Sequence, residues 1–488
     1  MSGLASKTVK NFFWNYGSFA VNKIVVFVTA VILARILSPD DFGLLGLALI
    51  LLEYLERFSR FGIDSAVIYQ KGDIEKTTNT AFIIALASGV ILTIIAFLSA
   101  PFIGAFFDEP RVVPIVQVLS LSLLISNLGS IHQARLMKEL DFKSRTVPEV
   151  SRAVVKGGVS IVLALMGFGV WSLVWGRIIS VLWGTGIYWY IVRWVPSLQF
   201  DSALARKLFG YSFHIVLIGL QATIFNNLDY LIIGRQLGTD ALGYYMMAYR
   251  LPELFIIGMV IIAGQILFPT FSATQDDLAT MKKAYLTVLK YVAAFTIPLG
   301  LGLMLTANDF VIFAYSDTWQ PSIFPTQVLA VYAIVYALAY NTGDVFKALG
   351  RPDLVNKLAF VRVLIIVPLL LFAVQFTIDH VAVAQLIGNI IVLFLVLGVI
   401  MRFISISVID IVRAIRAPLA SGIVMVGGVI AINALLPPMP IWMSLGTDII
   451  IGGVIYMVMI AFTDRDMITS AIDTIKNRNK KNDDSDDS

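Results

Sequence analysis

Six ionisable residues lie inside long apolar stretches of the sequence. Charged groups at membrane depth are costly, and they usually face a cavity, a ligand or a partner of opposite charge. Three of the six are cations, which predict a site for an anion such as phosphate, and three are carboxylates, which predict proton or Na⁺ coupling. The cations are Lys23, Arg177 and Arg250, and the acids are Glu53, Asp229 and Glu253.

Lys23 lies about 16 Å into the first apolar segment, near the middle of a hydrocarbon core roughly 30 Å thick. A lone ammonium at that depth needs an anion, which is either Glu53 in the next segment or the phosphate of a ligand. Arg250 and Glu253 share a helix face, with Pro252 between them. Because proline bends or opens a helix, this segment is either a moving binding element or a satisfied Arg–Glu pair.

Arg177 and Asp229 each leave two alternatives open. Arg177 has no acid near it in sequence, so it contacts either a ligand or an acid on another helix. Asp229 can couple transport to protons or Na⁺ if it is buried, whereas pairing with Arg235 or Lys23 would keep it ionised.

Two further arginines lie toward the predicted cytoplasmic end of the second apolar segment. Arg57 and Arg60 follow Glu53 and Glu56 by four residues, a spacing at which charges pair on one helix face. The two arginines are either a cytoplasmic anchor or an inner basic entrance for an anionic headgroup.

A turn sequence occurs twice, 200 residues apart: ARILSPDDFG at Ala34–Gly43 and GRQLGTDALG at Gly234–Gly243. A weaker pair, Arg135–Arg145 and Lys347–Lys357, aligns at an offset of 212. Two copies that diverge by small loop insertions produce such a drift, so we predict a duplicated chain.

The repeated turn itself is expected to be structural. Arg35 and Arg235 end their helices at the outer surface, where long basic side chains reach water. Asp40 and Asp240 are placed to cap the helices that follow.

Composition predicts an all-α polytopic membrane protein. The chain of 488 residues is 58% apolar and 14% charged, against roughly 25% charged residues in soluble domains. Apolar segments of about 20 residues between charged or Pro/Gly breaks predict 14 transmembrane helices. They lie near 12–37, 42–62, 78–100, 112–134, 150–168, 171–192, 209–236, 243–268, 286–307, 322–346, 356–376, 381–402, 418–436 and 441–463.

Charge distribution predicts that both termini are cytoplasmic. Of the 36 Lys and Arg, Arg111 lies in an outward loop and five lie in helices, which leaves 30 on the cytoplasmic side. Six helices per copy then give two parallel-repeat six-helix bundles around a central cavity. The predicted divisions are bundles at 1–195 and 196–405, two added helices at 406–463, and a disordered cytoplasmic tail at 464–488.

Motifs that are missing from the sequence narrow the range of functions it can have. The sequence has no cysteine and three histidines, so we expect no metal site. It has no phosphate-binding loop, no dinucleotide turn and no loop long enough for a catalytic domain. We therefore expect neither an enzyme nor a nucleic-acid partner, and no cofactor beyond a coupling H⁺ or Na⁺.

Five segments resemble the multidrug/oligosaccharidyl-lipid/polysaccharide exporter superfamily, and within it the Wzx-type flippases of the colanic acid and teichuronic acid exporters. KELDF and LFPTFSATQDD are the more specific strings. The segments are Leu33–Leu45, Arg60–Lys71, His132–Ser144, Asn226–Arg250 and Ile266–Asp277.

The resemblance implies that the chain moves an undecaprenyl-pyrophosphate-linked oligosaccharide across the bacterial cytoplasmic membrane by alternating access. In related peptidoglycan-precursor flippases, cavity arginines on the first, second and eighth helices are thought to hold the pyrophosphate. Lys23 and Arg250 match the first and eighth of these positions, whereas Glu53 stands where the second would be. Expected partners are the lipid-linked oligosaccharide, membrane lipids and polysaccharide polymerase machinery. The alternative is a cation-coupled multidrug antiporter of the same fold.

Overall fold

The computed structural model describes residues 21–60, 67, 73–139, 142–197, 199–206, 208, 227–465 and 467, and all its secondary-structure elements in these ranges are helical. Helices suit a bilayer because each satisfies its own backbone polar groups. Within the described residues, 10 helical segments are long and apolar enough to cross a membrane. The all-α membrane fold is confirmed, and the count of 14 spans stays a prediction.

The helices follow the apolar segments of the sequence. The first half contains α1 Val21–Ala34, α2 Pro39–Arg60, α3 Ile74–Phe107, α4 Val112–Lys138, α5 Phe142–Leu165 and α6 Val170–Val192. The second half contains α7 Leu228–Gln236, α8 Gly238–Pro252, α9 Gly258–Ser272, α10 Leu278–Ala314, α11 Ile323–Tyr340, α12 Thr342–Ala348, α13 Pro352–Ala373 and α14 Ile378–Phe403. The last pair is α15 Val408–Leu435 and α16 Ile441–Thr463.

Helix α3 is longer at both ends than the sequence predicts. It begins after Asp73, whose side chain accepts hydrogen bonds from two backbone N–H groups of the first turn, at 3.0 and 3.1 Å. It runs through Pro101 to Phe107 and ends where Asp108 takes a left-handed conformation, φ 56°. The predicted end at residue 100 was wrong because proline removes one backbone donor without ending an otherwise apolar helix.

The chain divides into two compact units. Unit 1 is Met1–Met246 with Ala314–Thr318. In its described part, α3 packs along α4, and α6 packs against both α4 and α5. His132 of α4 is fully buried and stacks on Trp189 of α6, with 4.5 Å between ring centroids.

Unit 2 is Met247–Phe313 with Trp319–Ser488. In its described part, α11 packs on α14, and α14 packs on α13. The last two helices pack on each other and against α10, where the Tyr456 hydroxyl donates to the Ala294 carbonyl at 2.8 Å. Asp464, predicted to begin the tail, ends α16 and forms a salt bridge with Lys290.

The repeated turns contact each other inside unit 1. A Cβ at Gly43 would lie 1.9 Å from the carbonyl oxygen of Thr239, and a Cβ at Gly243 would lie 2.0 Å from that of Pro39. Adding 200 to the residue numbers of one contact gives the partners of the other, because residue 39 corresponds to 239 and residue 43 to 243. Self-complementary pairing of this kind is typical of two-fold related copies, and it supports the predicted duplication.

Candidate functional site

Lys23, the first predicted headgroup ligand, lies on α1 and is half-buried. The neighbouring Asn22 donates its side-chain amide to the Glu149 carbonyl on α5 at 3.3 Å. This bond joins α1 to α5 one residue before Lys23. The anion that Lys23 faces, either Glu53 or a ligand phosphate, stays a prediction.

Two of the predicted coupling acids differ in exposure. Glu53 on α2 is exposed and accepts a hydrogen bond from the Asn227 side chain at 3.3 Å. Asp229 at the start of α7 is 3% exposed and accepts from the Tyr245 hydroxyl at 3.1 Å and from the Tyr230 N–H at 3.0 Å. Asp229 is therefore buried, as a coupling acid is expected to be.

Arg177 forms a salt bridge that the sequence left open. Its Nη2 lies 3.3 Å from Oε2 of Glu56 on α2, and both side chains are largely buried, 22% and 28% exposed. Its Nε is buried with no hydrogen-bond partner among the described residues. Glu56 thus has a partner 121 residues away, beyond the local pairing with Arg60 that the spacing suggested.

A small polar cavity adjoins this salt bridge and was not anticipated from the sequence. Its volume of about 20 Å³ is enough for a water molecule. A signal was available, since Ser126, Ser130 and Gln133 recur at helical spacing along α4. The lining residues are Glu56, Ser126, Asn127, Gly129, Ser130, Gln133, Arg152, Thr185 and Tyr188.

Arg250 and Glu253 lie in unit 2, at a break in helix geometry. The chain passes from α8 into a π-helical turn at Glu253–Ile257 and then into α9, so the helix is distorted next to Pro252 but continues through it. Arg250 is half-buried and Glu253 is exposed, and neither side chain forms a hydrogen bond or ion pair with a described residue. The satisfied Arg–Glu pair is therefore not formed, and π turns are frequent at functional sites.

The arginines of the repeated turn are exposed, as predicted, and each contacts the end of a long helix. Arg35 donates its Nε to the Ala314 carbonyl at 2.9 Å, and the Arg235 guanidinium lies 5.9 Å from the centre of the Phe106 ring. These contacts support the structural role predicted for the turn.

The capping role predicted for Asp40 and Asp240 was wrong. Ser38 and Asp41 cap α2 instead, through Ser38 N to Asp41 Oδ2 at 3.0 Å and Asp41 N to Ser38 Oγ at 3.3 Å. Asp40 is one residue too early to reach back to the N-cap, and it binds Arg111 at 2.7 Å and the Thr239 hydroxyl. Asp240 is exposed and makes no hydrogen bond with a described residue.

Arg111 also binds Glu109 at 2.6 Å in the same loop. This hydrogen bond holds the pKa of the Glu109 carboxyl below its usual range. The loop is thereby tied to the repeated turn by one guanidinium shared between two acids. The side chains of Arg57 and Arg60 lie outside the described part of the chain, so their predicted roles stay predictions.

Together these features define a polytopic helical membrane protein with cations and acids in its helices. The family model described as polysaccharide biosynthesis protein matches residues 32–324, more than half of the chain. The chain therefore belongs to the polysaccharide biosynthesis protein family.

Curated relatives of the chain are named for the biosynthesis or transport of surface polysaccharides. It is 24% identical over 387 residues to the lipopolysaccharide biosynthesis protein WzxC of Escherichia coli, covering 76% of each chain. It is 25% identical over 295 residues to the teichuronic acid biosynthesis protein TuaB of Bacillus subtilis, covering 60% of this chain and 61% of TuaB. The succinoglycan biosynthesis transport protein ExoT of Rhizobium meliloti is 27% identical over 324 residues, 64% of each chain.

Solved structures show the fold. The lipid II flippase MurJ, in an inward closed conformation, matches with a TM-score of 0.74 at 14% identity, over 94% of this chain and all of that one. An inward-facing multidrug resistance MATE family transporter of the MOP superfamily matches with a TM-score of 0.64 at 17% identity, over 78% of this chain and 94% of that one.

Proposed function

We propose that the protein is a flippase that moves an undecaprenyl-pyrophosphate-linked oligosaccharide across the cytoplasmic membrane for polysaccharide biosynthesis. The observation that carries this proposal is membership of the polysaccharide biosynthesis family over residues 32–324 on an all-helical membrane fold. The names of the relatives and the flippase fold of the structural neighbour support the same assignment.

The headgroup site of this proposal consists of Lys23, Arg177 and Arg250. A diphosphate moved out of water needs several cations, and arginine suits it because one guanidinium offers several donors in a fixed plane. The half-burial of Lys23 and Arg250, and the absence of any described ion-pair partner for Arg250, support these two positions. Glu53, Asp229 and Glu253 are the proposed coupling acids for H⁺ or Na⁺.

Arg177 has a revised role in this proposal. Glu56 neutralises it at rest, and the adjoining polar cavity has room for a water molecule beside the pair. The diphosphate then competes with Glu56 for the guanidinium. Such an exchange keeps the arginine paired throughout the cycle, which avoids the cost of an isolated charge in a low-dielectric site.

Replacement of Glu56 by glutamine tests the salt bridge directly. We expect the variant to lose about 1–3 kcal/mol of unfolding free energy, because the largely buried guanidinium of Arg177 keeps its charge and loses its counter-ion. Thermal unfolding of the purified protein in detergent measures the effect. Combining Glu56→Gln with Arg177→Gln should recover part of the loss.

Asp276→Asn is the matched control, since Asp276 is exposed and has no described partner. Additive losses in the double variant, or an equal loss in the control, would mean that the pair contributes nothing specific.

Membrane topology and organisation complete the proposal. Both termini are cytoplasmic, the bundles comprise residues 1–195 and 196–405, and 406–463 form an addition to the duplicated part. The distribution of Lys and Arg and the reciprocal glycine contacts support this arrangement. The translocated oligosaccharide then passes to polymerase machinery on the outer side.

A cation-coupled multidrug antiporter is the second candidate, because the fold also matches a multidrug transporter and Asp229 is buried. Cells depleted of the protein distinguish the two. A flippase predicts loss of surface polysaccharide and accumulation of its lipid-linked precursor on the inner leaflet. An antiporter predicts normal polysaccharide and increased retention of cationic dyes, a result that would overturn the flippase proposal.

A further inference from the structure

A groove of about 480 Å³ opens between α10 and α15 of unit 2. None of Lys23, Arg177 and Arg250 lines it, and it involves one of the two helices that the duplication does not account for. Its walls combine basic and apolar side chains. The lining residues are Ala279, Lys282, Lys283, Leu286, Thr287, Lys290, Asp410, Arg413 and Ala414.

The basic residues of this groove outnumber its acids. Lys282 is paired with Asp410 at 2.8 Å, and Lys290 is paired with Asp464. Lys283 and Arg413 are exposed, and neither forms a hydrogen bond or ion pair with a described residue. Two cations, one from each wall, are therefore available to an anion in the groove.

The length of α10 indicates that the groove lies at the level of the lipid headgroups. Helix α10 has 37 residues and is thus about 55 Å long, far more than the roughly 30 Å of the hydrocarbon core. Its first 13 residues, from Leu278 to Lys290, carry its groove-lining cations. We therefore expect the opening turns of α10 and α15, which carry these cations, to extend past the core on the side predicted to be cytoplasmic.

Apolar side chains continue along α15 beyond Arg413, toward the predicted hydrocarbon core. Leu419, Ile423 and Val424 are 44%, 61% and 43% exposed. A soluble anion would gain nothing from this apolar surface, whereas the acyl chains of a phospholipid would cover it. Charge and apolar surface together favour one kind of ligand, an anionic lipid already in the bilayer.

We propose that this groove binds the phosphate of an anionic glycerophospholipid, with Lys283 and Arg413 as its ligands and the acyl chains along α15. The lipid bridges α10 of the duplicated part to the added helix α15. This role is independent of the flippase proposal, because it requires neither transport nor the cations of the headgroup site.

Native mass spectrometry of the full-length protein in detergent, with equal amounts of phosphatidylglycerol and phosphatidylcholine, tests the site. The wild type should retain phosphatidylglycerol in preference to phosphatidylcholine. Each of Lys283→Gln and Arg413→Gln should weaken that retention about fivefold, because one basic residue near an anionic membrane surface contributes about 1 kcal/mol. The double variant should weaken it about 25-fold if the two contributions add. Arg206→Gln, which removes an exposed cation of unit 1, is the control. This variant should retain phosphatidylglycerol as the wild type does.

Retention of phosphatidylglycerol by the double variant at the wild-type level would overturn the proposal. Equal retention of the two lipids by the wild type would also overturn it, as would full displacement of phosphatidylglycerol by millimolar inorganic phosphate, which would identify a site for a free anion. Size-exclusion profiles matching the wild type establish that the variants are folded.

Discussion

Replacement of Gly43 by alanine is expected to destabilise unit 1 by about 1–3 kcal/mol, the usual cost of forcing extra volume into a closely packed contact. The added Cβ would lie 1.9 Å from the Thr239 carbonyl oxygen, and backbone atoms cannot move aside as a flexible side chain can. Gly243→Ala should have an effect of similar size, because its Cβ would meet the Pro39 carbonyl at 2.0 Å. Thermal unfolding in detergent measures both.

Gly186→Ala is the control for this pair. Gly186 lies within α6, and a Cβ there would meet nothing within 4 Å, so the substitution should be neutral or slightly stabilising. A large effect of Gly43→Ala together with none of Gly243→Ala would contradict the reciprocal contact, and with it the two-fold relation between the repeated turns.

Removal of a headgroup cation has the second large expected effect. Lys23→Ala and Arg250→Ala should each reduce polysaccharide export about 10–100-fold, since a hydrogen bond between charged groups contributes about 1.5–3 kcal/mol. Lys23→Arg keeps the charge and should retain most of the activity, whereas Arg250→Lys loses the planar guanidinium and should retain less. Export is measured as surface polysaccharide per cell at equal protein level.

Arg206→Ala serves as the control for these variants, because Arg206 is an exposed cation of unit 1 with no described partner. Full export by both Lys23→Ala and Arg250→Ala would remove these residues from the site. Equal losses in Arg206→Ala would indicate an effect of net charge and not of position.

Local sequence patterns predicted much of the fold. Apolar segment length placed the described helices, since a bilayer leaves few alternatives to a helix of about 20 residues. The repeated Gly43 and Gly243 indicated a duplication, and the structure explains them by a close backbone approach. Pro252 indicated a bent or opened helix, and the structure has a π turn directly after it in a helix that continues.

Contacts between residues far apart in the chain could not be predicted from the sequence. The partner of Arg177 is Glu56, 121 residues away, and only the packing of α6 on α2 brings the two together. Asp40 looked like a helix cap because its type and position fit one. Its actual partner Arg111 is 71 residues away. Asp41, one residue later, fits a capping role equally well by residue type and position, and it is the residue that caps α2.

The measurement that tests the central claim most directly is translocation by the purified protein in liposomes. A lipid-pyrophosphate-linked oligosaccharide is placed in one leaflet, and its arrival in the other is followed by its accessibility to an impermeant lectin. The account predicts transfer that depends on the protein and is slowed in Lys23→Ala and Arg250→Ala. Absence of transfer by the wild type, with ion-driven uptake of a cationic dye in the same liposomes, would contradict it and favour the antiporter.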